Sequence, residues 1–413
     1  MIFLKIGNTK KPIAEWGCEN PQLIFNSFNP DEFSFTTSSL NFRTAWMEFE
    51  TRLEVFQDST RVFAGFLQEP TVNKSGGGDN VQVSAKGFWD VFDSTYYKNT
   101  WEGNTVSGTI SSVNDATKTQ LFGRKVEIGY GSTSGAYVLD EATFVNNWSA
   151  QGFMTDEVIP AFNQTNSSEL FAMAPANISI NSDLILPFEE KVAPTYADVF
   201  SSVLKWHPDL MSWFDYSKDK PQLFVKAQAV CENITVNIGD TTEISLSKDI
   251  KRHRNVILRI LKYITGTSGL SWRKYKGYED YCDEGITAQQ RNVLIVPIDT
   301  CGEGYANNTL NRAALHSQLK KIVNSERYSG SVTICDRNLA TRYVGKILNI
   351  SGSVDDLSKI NAQIQSDAIN LMDGTRTLTL GSDNQSDCSD FVSRIEWLMG
   401  EKKTDLYISN QSS

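Results

Sequence analysis

Short runs of alternating apolar and polar residues constrain this chain more than any other feature of its sequence. In WMEFETRLEVF, the residues Met47, Phe49, Leu53 and Val55 share one parity, and charged residues occupy most of the other. Such period-two alternation predicts a strand with one buried face. The turn sequence QDST follows, so the pattern indicates a hairpin into a second strand.

Two of the predicted strands contain a glycine among their apolar residues. The run RVFAGFLQEP at 61–70 contains Gly65, and the run YVGKILNISG at 343–352 contains Gly345. A glycine inside a strand is typical of a bulge, or of a bend where a small barrel turns a corner. A meander of short strands must close or pack on itself to hide its edges. The sequence therefore predicts two small antiparallel barrels, one near each end of the chain.

Helices are predicted at only a few places. Apolar residues at helical spacing predict a short helix after Gly87, a second one in YADVFSSVLKWHP at 196–208 and a third one within 307–330. A further helix is predicted in CSDFVSRIEWLMGEKK at 388–403. After the third helix, three strands and the hairpin signal Asp373-Gly374 are expected to build the second barrel.

The predicted fold is mainly β, of the α+β class, with two small antiparallel β-barrels related by pseudo-symmetry and inserted α+β domains between them. The predicted parts are 1–97 (N-terminal barrel), 98–190 (inserted, loop-heavy β-rich region), 191–308 (α+β middle domain), 309–385 (helix plus second barrel) and 386–413 (C-terminal helix and tail). We expect the segment 265–304 to be irregular.

Composition excludes some classes of protein. The formal net charge of −10 over 413 residues argues against a general nucleic-acid-binding surface, which needs a basic face. No run of about 18 apolar residues is present, so no stable membrane insertion is predicted. The six cysteines are scattered and form no C-x-x-C pair, which favours free thiols and folding in a cytoplasm.

No catalytic motif stands out. The three histidines, His207, His253 and His316, lie far apart in the sequence, which leaves open only a triad or a mixed metal site assembled in space. The glycine-rich loop at 129–135 lacks the lysine of a phosphate-binding loop, and no helix is predicted to begin after it.

Adjacent carboxylates are also a poor signal for catalysis. Glycoside hydrolysis needs two carboxyl groups that face each other across a cleft, and neighbours in sequence do not do this. The pairs in question are Asp156-Glu157, Glu189-Glu190 and Asp355-Asp356. We therefore predict that the chain is not an enzyme and has no catalytic, cofactor-binding or metal-binding residues.

Positive charge is concentrated in one place, the run KDIKRHR at 248–254, with Arg259 and Lys262 shortly after it. Two interpretations stay open. The run contacts an acidic partner surface, or it is a solvated strand edge where lysine and arginine deter aggregation.

Seven stretches of the sequence together resemble the hub proteins of bacteriophage tails. RVFAGFLQEP followed by VQVSAKGFWDVFDS is similar to the first hub barrel, and TYADVFSSVLKWHP and HRNVILRI are similar to the helix and strand that come next. YSGSVTICD, YVGKILNISG and RTLTLGS resemble the second barrel. The segments 98–188 and 265–304 depart from the family pattern, which leaves their roles open.

The resemblance implies an architectural function at the tail tip of a virion, with assembly in the cytoplasm of the bacterial host. Three chains with two barrels each would form a homotrimeric ring with six similar docking surfaces. That ring would adapt a sixfold tail tube or distal tail protein to a threefold central spike or tail fibre. It would take part in host attachment, and DNA would be a partner only in transit.

Two other functions are kept as alternatives. A receptor- or carbohydrate-binding protein of the tail tip would need an exposed aromatic cluster, for which the candidates are Tyr130, Tyr137, Phe144, Trp148 and Phe153. A cell-wall hydrolase would need a cleft with two facing carboxylates.

The passage of DNA sets an expectation for the ring's channel. A wall of lysine and arginine would bind phosphates and slow the DNA, so we expect a negative or neutral axial surface. Glu48, Glu50 and Glu54 are the candidates for it, and the basic run at 248–254 is expected to face outward or into a partner.

Overall fold

The computed structural model of this chain is built mainly from antiparallel β-strands. The structure describes residues 1–38, 49–75, 78–97, 103–106, 109–113, 121–122, 124–125, 130–133, 136–139, 146–147, 149–180, 182, 184, 189–190, 194–204, 206–207, 209–249, 255–265, 274–282, 293–299, 309–324, 327–352, 360 and 362–381.

The N-terminal part is a sheet of short strands whose apolar residues alternate with polar ones. Val81, Val83 and Ala85 are buried, for example, whereas Gln82 is exposed. In space the strands lie in the order β2-β1-β5-β6-β8-β4-β3, and β7 also pairs with β8. The bounds are β1 (Ile2–Ile6), β2 (Thr9–Pro12), β3 (Glu19–Asn26), β4 (Glu32–Ser38), β5 (Arg52–Gln57), β6 (Thr60–Leu67), β7 (Thr71–Ser75) and β8 (Gly78–Gly87).

The region after β8 mixes short strands with helices. Four pairs of short strands form separate two-stranded sheets: β9–β10, β11–β17, β12–β15 and β13–β14. The bounds are α1 (Trp89–Ser94), β9 (Gly103–Val106), β10 (Thr109–Val113), β11 (Leu121–Phe122), β12 (Arg124–Lys125), β13 (Tyr130–Thr133), β14 (Ala136–Leu139), β15 (Asn146–Asn147), α2 (Ala150–Gly152), α3 (Ile159–Asn163), β16 (Ala172–Ser179), β17 (Glu189–Glu190) and α4 (Tyr196–Leu204). A π-helical turn, Phe153–Val158, joins α2 to α3.

Two three-stranded sheets and a second large group of strands complete the described fold. The sheet β16-β19-β18 packs beside the N-terminal strands, and the sheet β23-β22-β24 packs on the helix α5. The bounds are β18 (Leu210–Asp215), β19 (Gln222–Ala227), β20 (Glu232–Asn237), β21 (Thr241–Asp249), β22 (Asn255–Thr265), β23 (Lys274–Tyr281), β24 (Val293–Asp299), α5 (Thr309–Asn324), β25 (Arg327–Cys335), β26 (Lys346–Ser351), β27 (Ala362–Asn370) and β28 (Thr375–Leu380).

The mainly β fold is present, but two separate closed barrels are not seen, because both ends of the chain belong to one sheet of 14 strands. Antiparallel pairing of β3 with β27 joins them, with Phe25 opposite Asp367 and Leu23 opposite Ile369. Among the described strands the main path of the sheet runs from β2 to β21, while β26 and then β20 branch off at β27, and the sheet does not close. Backbone hydrogen bonds thus join the two ends of the chain, which the sequence pattern assigned to separate barrels.

Two apolar clusters nevertheless lie along this sheet. The larger one spans the N-terminal strands, α1, α4 and the sheet β16-β19-β18. The smaller one lies among β20, β21, β25, β26, β27 and β28, and includes Val332, Leu348 and Leu378. The strands β20 and β21 end this second group and are joined by a single 3-10 turn, Ile238–Asp240, so the group curls around its cluster.

The two glycines of the sequence pattern have different roles. Gly65 lies inside β6, where a Cβ would sit 2.1 Å from the carbonyl oxygen of Lys86 on the paired strand. Gly345 precedes β26 in a turn with a φ of +86°, and a Cβ there would lie 2.4 Å from the Trp213 ring. The expectation that these residues occupy related bends is therefore wrong. The first lets two backbones approach closely, and the second permits left-handed backbone against an aromatic face.

Most individual elements agree with the sequence pattern. The hairpin of β5 and β6, the helices α1, α4 and α5 and the Asp373-Gly374 turn, in which Gly374 has a φ of +80°, are all present. Two expectations need correction. The segment 149–163 is largely helical, and the segment 265–304, expected to be irregular, contains β23 and β24 paired on either side of β22. The helix predicted at 388–403 lies outside the described residues.

We predict that Gly65→Ala destabilises the protein by about 1–3 kcal/mol, because two backbone segments must separate to admit the methyl group. Gly239→Ala is the matched control. It is exposed, and the nearest atom to its Cβ would be the Asn237 side-chain oxygen at 3.2 Å. The control should lose about 0.5 kcal/mol or less. Urea unfolding of both variants measures the difference, and equal midpoints would contradict the close-approach argument.

Candidate functional site

The N-terminal strands, β18 and the loop before β26 contact one another at one place, which we call the junction. Ser27 and Ser212 hold the turn between β3 and β4 against β18 through two hydrogen bonds. The Ser212 hydroxyl accepts from Phe28 N at 2.8 Å, and the Ser27 hydroxyl accepts from Ser212 N at 3.0 Å. Gln57, at the end of β5, bonds in the same reciprocal way to Arg337 O at 2.9 Å and to Leu339 N at 2.8 Å.

Arg61 fastens the N-terminal sheet to the hairpin between β18 and β19. Its guanidinium donates to the carbonyl of Tyr216 at 3.0 Å and to the carbonyls of Lys218 and Asp219. The same guanidinium bonds to the buried carboxylate of Glu54 at 2.8 Å. One side chain thus satisfies a loop backbone and a buried charge together.

A buried carboxyl, Asp31, lies at the centre of the junction. It accepts hydrogen bonds from the Tyr216 hydroxyl at 2.7 Å and from Asn26 N at 2.8 Å. Burial raises the pKa of Asp31 to about 6, although the positive charge of Arg342 opposes this shift. Burial also raises the pKa of Tyr216 well above its usual range. Gly87 packs against this pair, since a Cβ there would lie 2.6 Å from the Tyr216 hydroxyl.

A buried ion pair between Asp367 on β27 and Arg376 on β28 holds the loop that leads to β26. Both side chains are fully buried. Besides bonding Asp367 through two nitrogens, Arg376 donates to the Asp336 carboxylate at 3.2 Å and to the carbonyls of Asn338 and Thr341 at 3.0 and 2.8 Å. The guanidinium therefore fixes the backbone of residues 336–341.

The surface feature at this junction is a groove of about 220 Å³, which we call the junction groove. Its lining comes from three segments: the strands β18 and β19, the turn between β19 and β20, and the loop before β26. The lining residues are Trp213, Phe224, Lys226, Val230, Cys231, Glu232, Arg342, Val344, Gly345 and Lys346.

An aromatic pair forms one wall of the junction groove. Trp213 and Phe224 lie opposite each other in the β18–β19 register, and their rings stack at 5.4 Å with an interplanar angle of 5°. The ammonium of Lys226 lies 5.9 Å from the Trp213 ring centre and 5.6 Å from that of Phe224. Gly345 packs against the Trp213 ring, as described above.

Positive charge dominates the polar part of the junction groove. Lys226, Arg342 and Lys346 line it, against a single carboxylate, Glu232, which pairs with Lys346 at 3.4 Å. The Arg342 guanidinium lies 4.7 Å from the ring centre of Phe25, and its Nη1 is buried without a hydrogen-bond partner among the described residues. Burial raises the pKa of Cys231 to about 11, which keeps this thiol protonated and unreactive. The groove can thus bind an anion beside an apolar group.

The two described histidines, His207 and His316, each bond to a backbone carbonyl. His207 is buried on a carbonyl of α4, and burial lowers its pKa to about 4. His316 is buried on the carbonyl of Val256, and His253 lies outside the described residues. In the described part of the chain, no group of three or more His, Cys, Asp or Glu side chains is arranged to hold a metal ion. Asp355 and Asp356 are not described.

The structure places some residues of the predicted charged and aromatic surfaces, and others lie outside the described residues. Glu54 is buried and ion-paired with Lys5, Arg52 and Arg61, so its expected place on a channel wall is wrong. Glu48 and residues 250–254 of the basic run lie outside the described residues. Phe153 is buried in the larger cluster, so it cannot belong to an exposed aromatic patch. Tyr130 and Tyr137 lie in β13 and β14, while Phe144 and Trp148 are not described.

Sequence reasoning missed the residues of the junction. A signal existed for the ion pair, because Arg376 shares the parity of the buried Leu378 and Leu380, and Asp367 shares that of Ile369. Opposite charges on the buried faces of two strands joined by an Asp-Gly turn indicate an internal pair. No comparable signal marked Asp31, Trp213 or Arg342, because they are brought together only by the tertiary structure.

Comparison with known proteins gives a match at the level of the fold. No protein-family profile and no curated protein matches the chain. The crystal structure of the 43 kDa tail protein of prophage MuSo2 from Shewanella oneidensis aligns with 94% of this chain and 99% of its own, with 11% identity and a TM-score of 0.50. The chain has the fold of that phage tail protein.

Two further solved structures align over similar lengths. The tail protein from Neisseria meningitidis MC58 is 14% identical with a TM-score of 0.49, and covers 92% of this chain and 96% of its own. The prophage tail protein gp18 from Listeria monocytogenes EGD-e is 9% identical with a TM-score of 0.49, and covers 98% of this chain and 99% of its own. A search of the described helices for a membrane-spanning one finds none that combines the necessary length and apolar character.

We predict that Arg376→Gln lowers the free energy of unfolding by about 3–5 kcal/mol, because it leaves the buried carboxylate of Asp367 without its counter-charge. Arg337→Gln is the control from the same loop. Arg337 is exposed and bonds to the carbonyl of Asp373 at 3.2 Å. Chemical denaturation of both variants provides the measurement. A loss at Arg376 no larger than at Arg337 would show that the buried pair does not stabilise the junction.

We also predict a pH dependence that comes from Asp31. Because its pKa is raised in the folded state, the folded protein keeps a proton that the unfolded chain releases between about pH 4 and pH 6. The stability due to Asp31 is therefore present below pH 4 and is lost as the pH rises through 6. The advantage of the native protein over Asp31→Asn should shrink by on the order of 3 kcal/mol between pH 4 and pH 7.

Urea unfolding at the two pH values measures this change. Asp219→Asn, at an exposed position, is the control and should keep the native pH profile. Parallel profiles for Asp31→Asn and the native protein would contradict the assignment.

Proposed function

We propose that this chain, which has the fold of a phage tail protein, is a structural hub protein of a bacteriophage tail. The observation that carries the proposal is the end-to-end alignment with the MuSo2 tail protein, at 94% of this chain and 99% of that one. The sequence resemblance rests on stretches near both ends of the chain and on two stretches between them. The first and last of these stretches lie in the 14-stranded sheet.

In this proposal three chains form a ring at the tail tip of the virion. Each chain supplies two curved, antiparallel parts, so that three copies offer six docking surfaces to a sixfold tail tube or distal tail protein. The opposite side of the ring has threefold symmetry and meets a central spike or tail fibre. The two apolar clusters support this arrangement, because they are separate cores along one sheet.

The ring also takes part in host attachment and lets DNA pass without binding it firmly. The overall charge of −10 supports a channel that does not hold phosphate groups. Assembly takes place in the cytoplasm of the bacterial host. The chain has no catalytic step in this function, and its side chains serve contacts between subunits and neighbours.

Image reconstruction of the tail tip of the phage that encodes this chain tests the proposal. We expect three copies in a ring around the tail axis, because three chains with two docking parts each match sixfold symmetry. A chain absent from purified tails, or present in one or six copies, would contradict the hub assignment. An isolated chain that is monomeric in solution does not, since contacts made on a partner can be weak alone.

A further inference from the structure

The junction groove holds more positive charge than its own surroundings neutralise. Of its cations, Lys346 has a carboxylate partner in Glu232. Lys226 and Arg342 form no ion pair with any described residue, and the groove lies on a chain whose net charge is −10. The charge of Arg342 does act on Asp31 and Asp367, whose pKa values it lowers against the effect of burial.

Arg342 also has an unmet hydrogen bond. Its Nη1 is buried and has no acceptor among the described residues, while its guanidinium stacks on Phe25 and Tyr216. A buried donor without an acceptor destabilises the folded state. Because Nη1 is closed to solvent, an incoming carboxylate is attracted by the charge of Arg342 and contacts the ammonium of Lys226 in the groove.

The volume and the apolar wall limit what can enter. At about 220 Å³ the groove is smaller than the roughly 300–1,000 Å³ of sites that enclose a drug-sized ligand. It is large enough for one or two side chains. Trp213 and the half-exposed Val230 supply apolar surface next to the cations.

We propose that the junction groove docks an acidic segment of a partner protein, with one carboxylate on Lys226, attracted also by the charge of Arg342, and an adjacent apolar side chain against Trp213. The charge complementarity described above favours this occupant. That the partner is a neighbouring tail protein rests on the proposed function. The segment would contact three parts of the chain at once, since β18 and β19, the turn before β20 and the loop before β26 all line the groove.

Peptide binding to the full chain tests the proposal. The probe is a labelled five-residue peptide with a central phenylalanine and four glutamates, and its counterpart has glutamines in place of the glutamates. Fluorescence anisotropy should show binding of the glutamate peptide that weakens as salt increases, and much weaker binding of the glutamine peptide. Equal binding of the two peptides, or no binding at millimolar peptide, would overturn the proposal.

Variants place the binding in the groove. Lys226→Gln should weaken binding of the glutamate peptide about tenfold, which corresponds to 1.4 kcal/mol. Lys10→Gln is the matched control. Like Lys226, Lys10 lies over an aromatic ring, with its ammonium 3.8 Å from the centre of the Phe56 ring, but it lies outside the groove. The control should bind as the native protein does. Equal effects of the two substitutions would show that the peptide does not use this groove.

Glu232→Gln is expected to increase the affinity for the peptide, whereas a misfolded variant would lose affinity. The side chain of Glu232 is 81% exposed and competes with an incoming carboxylate for Lys346. Its removal should tighten binding about two- to fivefold, as expected for a partly exposed ion pair. A loss of affinity would contradict the model of competing carboxylates.

A neutral tetramer of N-acetylglucosamine separates the saccharide-binding alternative. It should not displace the glutamate peptide, and displacement that depends on Trp213 would assign the groove to a sugar.

Failure of the groove proposal is distinct from failure of the hub assignment. A chain found in three copies at the tail tip but unable to bind the peptide would overturn the groove proposal alone. A peptide-binding chain absent from tails would overturn the hub assignment, and with it the identity of the partner as a tail protein.

Discussion

The antiparallel pairing of β3 with β27 is the constraint on which the rest of the structure depends. It places Phe25 opposite Asp367, and so brings the first strands and the last strands of the chain into one sheet. The loop before β26 then reaches the N-terminal part, where Arg342 stacks on Phe25. Such a contact between distant parts of the sequence has a high loop-closure cost, which the many backbone hydrogen bonds of the sheet offset. Without this pairing the junction groove would lose one of its three lining segments.

Buried charge is concentrated along this seam. Asp31, Asp367 and Arg376 are all buried, and each has several hydrogen-bond partners. Buried ion pairs contribute little net stability compared with apolar packing, but removal of one partner is costly. The arrangement therefore acts against alternative pairings, because any shift of β27 against β3 would leave these charges unmatched. A junction specified in this way can present a groove of fixed shape to a partner.

The groove follows from the seam by direct contact. Gly345 can approach the face of Trp213 only because it has no side chain and adopts a positive φ. Its position is set by the loop that Arg376 holds through the carbonyls of Asn338 and Thr341. Trp213 in turn belongs to β18, which Ser27 and Arg61 tie to the N-terminal strands. Rigid support of this kind lowers the entropy that a docking partner must lose, and favours specific contacts over adaptable ones.

The sequence by itself determined the local elements of this protein. Alternation of apolar residues placed β5, β6 and β8, helical spacing placed α4 and α5, and Asp373-Gly374 placed the last hairpin, because these patterns depend on neighbours within a few residues. It also indicated the resemblance to phage tail proteins, which the fold confirms. Only the tertiary structure decided that the two ends share one sheet, that Glu54 is buried among three cations, and that Trp213, Lys226 and Arg342 meet in a groove. The physical reason is that strand pairing and charge pairing act between residues far apart in sequence, and a period-two pattern specifies which face of a strand is buried but not which strand lies beside it.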